Sequence, residues 1–182
     1  MSEMYVQVAV EGGAIEEYQR ALAATHVNGG VRVCRFRWEG DNGDWFNVNT
    51  NLALHETFRT LLESTAAQQA LPEVLVPSPF PIGSPPDFWP VAGGALRLEG
   101  DLAAALARGG AYKRHPGTDR DAKDLARRAE RDLIGDRYED FTLFVSDAPW
   151  SPWFFDVAWD QTWILVDRRR SEVTIICATD TD

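Results

Sequence analysis

The sequence predicts an α+β fold: a largely antiparallel mixed sheet with about four helices packed on it. Three observations point there. Strand-like alternation appears near both ends of the chain, in Met4–Val10 and again in Phe141–Val145. Helical stripes of period 3.6 separate these regions, the clearest over residues 119–134. Residues 141–182 then hold strand-like runs joined by short turns, a meander that helices can cover.

Each element follows from its residues. Met4, Val6, Val8 and Val10 share one face of a first strand, and Gly12 and Gly13 break it. A helix is expected over Ala14–Ala24, with Ile15, Tyr18, Ala21 and Leu22 on one stripe and the glycines of "HVNGG" as its left-handed stop. Val31–Trp38 reads as a strand. Its arginines at 32, 35 and 37 all face out only if the alternation slips between Val33 and Cys34, so a bulge is expected there. "EGDNGD" is a turn, and Trp45–Val48 is the expected hairpin return. Leu52–Ala67 reads as a second helix with Leu54, Phe58, Leu61, Leu62 and Thr65 inward. The order to this point is βαββα.

Residues 72–90 hold most of the ten prolines and read as an extended surface connection. The phenylalanines and Trp89 within it argue that it is packed down. One domain over residues 1–182 is therefore expected, with a subdomain boundary at 72–90 as the alternative. Ala95–Leu98 reads as a short strand, and Asp101 as the cap of a helix Leu102–Arg108. Thr118 followed by Asp121 signals a capping box for a helix Asp119–Ile134, closed by Gly135. Its inner stripe is Ala122, Leu125, Ala126, Ala129 and Leu133, while Arg120, Lys123, Arg127, Arg128 and Arg131 cover the other faces. Strands are expected at Phe141–Val145, Trp153–Trp159, Thr162–Val166 and Val173–Thr179, the last two joined by "DRRRSE".

Charge narrows the function classes. The chain carries 28 acidic and 18 basic residues, a formal net charge of −10. Residues 1–100 hold 12 acids against 6 bases, 101–134 hold 6 against 8, and 135–182 hold 10 against 4. Such a field repels phosphate backbones, so no nucleic-acid partner is expected, and it speeds encounter with a basic protein. Cys34 and Cys177 sit in apolar strand-like runs and read as buried free thiols. The start "MSEMYVQVAVEGG" has no basic residues and only a short apolar run, and no window approaches a membrane span. A cytoplasmic protein with no membrane partner is the expectation.

The stretch "WFFDVAWDQTWILVD", Trp153–Asp167, poses the functional question, because it sets Asp156, Asp160 and Asp167 among five aromatics. On a strand, Asp156 and Asp160 share a face but stand roughly 13 Å apart, with Asp167 on the other face. A glycosidase pair needs roughly 5–9.5 Å, and a metal needs its ligands closer still. The expectation is a core strand with aspartates at its rim. A sharp bend near Asp160 is the route by which Asp156 and Asp160 would converge. Asp180 and Asp182 of the tail "ATDTD" would then join them around a divalent ion.

Other chemistry is sparse in the sequence. His55 lacks the second histidine of a zinc-protease helix. His26 ends a helix, where its charged form would suit the dipole. His115 precedes a helix N-terminus beside Lys113 and Arg114, a place where an anion can sit. No phosphate-loop, dinucleotide or nucleophile-elbow motif occurs, and no cofactor is expected. Arg168, Arg169 and Arg170 read as a solvated hairpin tip or a partner contact. Trp89, Trp150 and Trp153 lie beside prolines, as loop pins or interface anchors.

The reading is a non-catalytic, acidic binding protein of the inhibitor or immunity type, meeting a basic partner through Trp150, Trp153, Asp156 and Asp160, with the Arg168–Arg170 run as a further contact. The alternatives are a metal-assisted or acid–base hydrolase using Asp156, Asp160, Asp180 and His115, and a structural subunit of a homo-oligomer.

Overall fold

The computed structural model describes residues 4–41, 45, 55–75 and 88–182, with side chains at 55–57 excepted. Among the described residues, six strands form one sheet: β1 Tyr5–Val8, β2 Gly30–Trp38, β3 Trp89–Pro90, β4 Phe141–Ser146, β5 Gln161–Asp167 and β6 Glu172–Thr179. Their order is β1-β2-β6-β5-β4-β3, and every pairing among the described residues is antiparallel. Among the described residues, five helical segments with both ends placed accompany them: α1 Gly13–Ala23, α2 His55–Leu62, α3 Thr65–Ala70, α4 Leu98–Arg108 and α5 Asp119–Ile134. This is the expected α+β class.

Helices lie on both faces because both faces are apolar. Along β6, Val173, Ile175 and Cys177 enter one core, and Ile176 and Ala178 enter the other. Alternation therefore serves two buried layers at once, and the strand reads as a continuous apolar run. The first core collects Phe36, Trp38, Ile164 and Val166 with Phe58, Leu61 and Leu62 of α2, plus Trp150 and Phe154. Val74, Leu75 and Phe88 belong to it too and pack down both described flanks of the proline-rich connection, but Trp89, expected to help, is exposed. The second core sets Leu143, Trp163 and Leu165 against the stripes of α1, α4 and α5. Cys34 and Cys177 are both free and buried, and burial pushes the Cys177 thiol up to about 12.

Helix α5 keeps the bounds the periodicity predicts. Thr118 Oγ1 accepts the Asp121 N–H at 3.2 Å while Asp121 Oδ2 accepts the Thr118 N–H at 2.7 Å, and Gly135 takes φ 60° at the far end. Its stripe also buries Glu130, whose carboxylate accepts the Glu99 N–H at 3.2 Å in the first turn of α4 and the Tyr138 hydroxyl at 3.3 Å. Burial raises the Glu130 pKa.

Several local expectations give way to long-range contacts. Strand β2 pairs with β6 in unbroken register from Gly30 to Arg37, with no bulge, so Arg35 points into a buried layer. The helix expected over Leu52–Ala67 breaks in two, because Ser64 accepts the Ala67 N–H and starts α3, leaving Thr65 exposed. Leu54, the side chain of His55 and the hairpin return beyond Trp45 lie outside the described residues. Residues 95–98 form a 3-10 turn and the start of α4, and Asp101 sits inside that helix, paired with Arg97 at 3.3 Å. Helix α1 ends at Ala24 in a right-handed conformation, without a glycine stop. Trp153–Trp159 is a loop, not a strand.

Candidate interaction surface at one end of the sheet

The loop 147–160 sits where β4 ends and β5 begins. Trp150 anchors it. The indole is buried, donates to Thr162 Oγ1 at 2.8 Å, and meets Phe58 edge-on at 5.4 Å and Phe154 at 5.0 Å. Asp160 folds the rest. Its carboxylate is fully buried and accepts the Thr179 hydroxyl at 2.5 Å, the Val157 N–H at 3.1 Å and the Phe155 N–H at 3.4 Å. A carboxylate that binds backbone donors three and five residues upstream closes a turn, which a strand cannot accommodate. Asp156 completes the turn at φ 60°, a left-handed conformation open to Asp, and its side chain is exposed. Trp153 is half-buried, with the Arg32 guanidinium 6.0 Å from its ring centre.

Asp180 is equally buried but belongs to the other face. It accepts the Asn28 N–H and the Ala111 N–H, both at 2.8 Å. Thr179 and Asp180 alternate across the sheet, so Asp160 meets the one and misses the other. Gly110 makes room for this arrangement, since a Cβ there would overlap the Thr25 carbonyl and the Asp180 carboxylate. Asp167 lies at the opposite end of β5, where it pairs with Arg137 and accepts the Arg169 and Arg170 N–H groups at 3.1 and 3.0 Å.

The bend near Asp160 therefore exists but does not gather carboxylates. Asp156 stays in solvent, Asp160 and Asp180 are held by separate donors, and Asp182 is exposed. Among the described residues, no three His, Cys, Asp or Glu side chains group at metal-binding range. His115 stays apart from these aspartates' hydrogen bonds. The helix end beside it is already closed by Asp121, whose pKa the Thr118 hydroxyl lowers. His26 is buried, and its pKa is lowered because desolvation outweighs the Leu22 carbonyl and the nearby Asp180 charge.

As contact residues, Trp150 and Asp160 are corrected: both are buried, and their polar atoms are engaged inside the fold. Burial of the loop's root is what pushes its tip outward. Phe155 is 46% exposed, Trp89 on edge strand β3 is 64% exposed, and Tyr112, next to the Ala111 that binds Asp180, is 63% exposed. Asp147, Asp156 and Asp182 are exposed at the same end of the sheet. Between β3, α4 and β5 runs a groove of about 460 Å³, lined by Trp89, Arg97, Asp101, Arg108, Asp147 and Gln161. The sequence flags Trp89 through its flanking proline. Phe155 and Tyr112 escape notice, although an aromatic inside the basic loop "AYKRHPG" is a signal of its own.

Comparison with known proteins adds no name to this surface. No protein-family model matches the chain, and no curated protein is significantly similar to it.

Proposed function

We propose that this protein binds a protein partner through the sheet end that carries Trp89, Tyr112 and Phe155, acting as an inhibitor or immunity-type cap on a basic toxin or enzyme. One observation supports the reading above others. Three large aromatics, each 46% exposed or more, lie at one end of the sheet with the exposed Asp147, Asp156 and Asp182 and a groove beside them. Exposed aromatics and arginines beside a pocket supply the anchors that dominate protein interfaces. The −10 charge supplies long-range attraction for a basic partner. Trp153 and Asp156 remain contact candidates, at the half-buried and exposed positions of the loop.

Affinity capture from native extract tests this. The wild type should retain a basic protein that elutes as salt rises through a few Debye lengths of screening. Trp89→Ala with Phe155→Ala should cut retention by about thirtyfold, the scale of a hot spot, while thermal stability holds. Equal retention by the double variant would remove the proposed surface. A catch consisting of a second copy of this chain, seen by light scattering, would replace the inhibitor reading with self-association.

A further inference from the structure

The groove at the aromatic end of the sheet owes its shape to helix α4. Arg97, Asp101, Ala104, Ala105 and Arg108 recur at helical spacing and line one wall. The two alanines in the middle of that stripe bring only methyl groups toward the strands, and a space of about 460 Å³ stays open there. Val145 and Trp163 supply apolar surface from β4 and β5, and the exposed Trp89 of edge strand β3 adds an open ring. A concave site of this size, part apolar and part polar, suits a small ligand.

Its polar side chains fall into two sets. One set is committed inside the fold. Ser146 Oγ accepts the Ala148 N–H at 3.1 Å, Thr162 Oγ1 accepts the Trp150 indole N–H at 2.8 Å, and Arg97 pairs with Asp101 at 3.3 Å. The other set is open: Arg108, Asp147 and Gln161. None of these three side chains has a hydrogen bond or ion pair among the described residues, with one another included. Arg108 ends α4, and its charge disfavours protonation of the nearby His26. Asp147 follows the last residue of β4, and Gln161 opens β5. Counting every charged residue of the lining, two arginines face two aspartates, so the groove is neutral as a whole. With the Arg97–Asp101 pair set aside, one cation, one anion and one amide remain with unused capacity.

We propose that this groove binds a short zwitterionic peptide, a dipeptide with apolar side chains. Arg108 takes the terminal carboxylate, whose paired oxygens match a guanidinium fork. Asp147 takes the terminal ammonium. Gln161 offers both a donor and an acceptor, and takes the peptide bond between the two ends. The apolar side chains lie against Ala104, Ala105, Val145 and Trp163. A lone anion or cation would meet only part of the open set, and an uncharged ligand would leave both charges to water. This ligand site does not rest on a protein partner at the same end of the sheet.

Calorimetry of the full chain at pH 7 gives the readout, with leucyl-leucine, its N-acetyl form and its C-terminal amide as ligands. The free dipeptide should bind saturably. Each cap removes one charge and should weaken binding at least about tenfold, the loss of one charge-assisted contact. Arg108→Gln should lose the preference for the free acid over the amide and keep the preference for the free amine. Asp147→Asn should do the reverse. Both residues are exposed, so the variants keep their fold, and the capped ligands read the same contacts on the unaltered chain. Ala104→Leu, which fills the groove, should abolish binding, and Arg131→Gln at the other end of the sheet should bind as the wild type does. No saturable heat with leucyl-leucine, or equal binding of the three ligands, overturns the proposal. An equal loss in Arg131→Gln and Arg108→Gln also overturns it, as a diffuse effect of net charge. Trp89 and Phe155 stay in place throughout, so the result stands apart from partner capture.

Discussion

Asp160 and Asp180 at one end of the sheet, and Arg35 at the other, are charged groups buried in different ways. Each aspartate is surrounded by neutral donors: a hydroxyl and two backbone N–H groups for Asp160, two backbone N–H groups for Asp180. Arg35 satisfies two of its five N–H groups inside the fold and keeps Nη1 beside Glu172, 3.8 Å away, in a cavity lined by arginines and acids alike. A carboxylate solvated by backbone donors is fixed in place, because each donor belongs to a segment that moves only if the fold does. Arg35 instead relies on one ion pair, with Glu172, and on two acceptors from distant elements. The carboxylate end is therefore built to shape loops and present their tips. The arginine end is built around space.

Substitutions can break or sharpen this contrast. The largest effect should come from Asp160→Ala, which strands three donors and releases the loop 155–160. We expect a loss of about 3 kcal/mol in denaturant unfolding; a loss under about 1 kcal/mol would show that the carboxylate merely occupies the site. Next is Gly110→Ala, whose methyl group would collide with the Thr25 carbonyl and displace Asp180. About 2 kcal/mol should be lost, with accelerated hydrogen exchange at Asn28 and Ala111. At the other end, Arg35→Met should cost only about 1 kcal/mol, since the lost hydrogen bonds are offset by the removed desolvation of a guanidinium. A larger cost there than for Asp160→Ala would erase the distinction between the ends.

The smallest effect concerns pH. His26 lies within the electrostatic reach of Asp180, and burial sets its folded pKa below the usual 6.5. Below 6.5 the unfolded chain binds the proton more readily, and stability contributed by the neutral ring is lost as pH falls toward the folded value. Urea unfolding of the wild type should thus weaken over that window more than that of His26→Gln. Parallel curves would place the ring in water.

Much of the fold is legible locally. Helix α5 shows its cap, stripe and glycine stop within one contiguous segment, and β4, β5 and β6 announce themselves by β-branched and aromatic residues. The misreadings share a cause. Trp153–Trp159 has strand composition, yet Asp160 closes it into a turn by binding Thr179, nineteen residues on. The arginines of β2 suggest a bulge to keep charge in water, yet Arg35 finds Leu133 and Thr174 in distant elements and stays inside. The candidate surface follows suit. Trp89 is recognisable beside its proline, whereas Phe155 reaches solvent only because Trp150 and Asp160 bury the root of its loop.

Local pattern was thus sufficient for the α+β class, the antiparallel meander, the bounds of α5 and the negative charge, because periodicity, caps and composition act within a few residues. The folded chain alone decided which charges are buried, where the aromatics emerge, and that the aspartates disperse while the arginines collect. Burial of a charge depends on donors and acceptors supplied from remote parts of the chain, and no local window contains them.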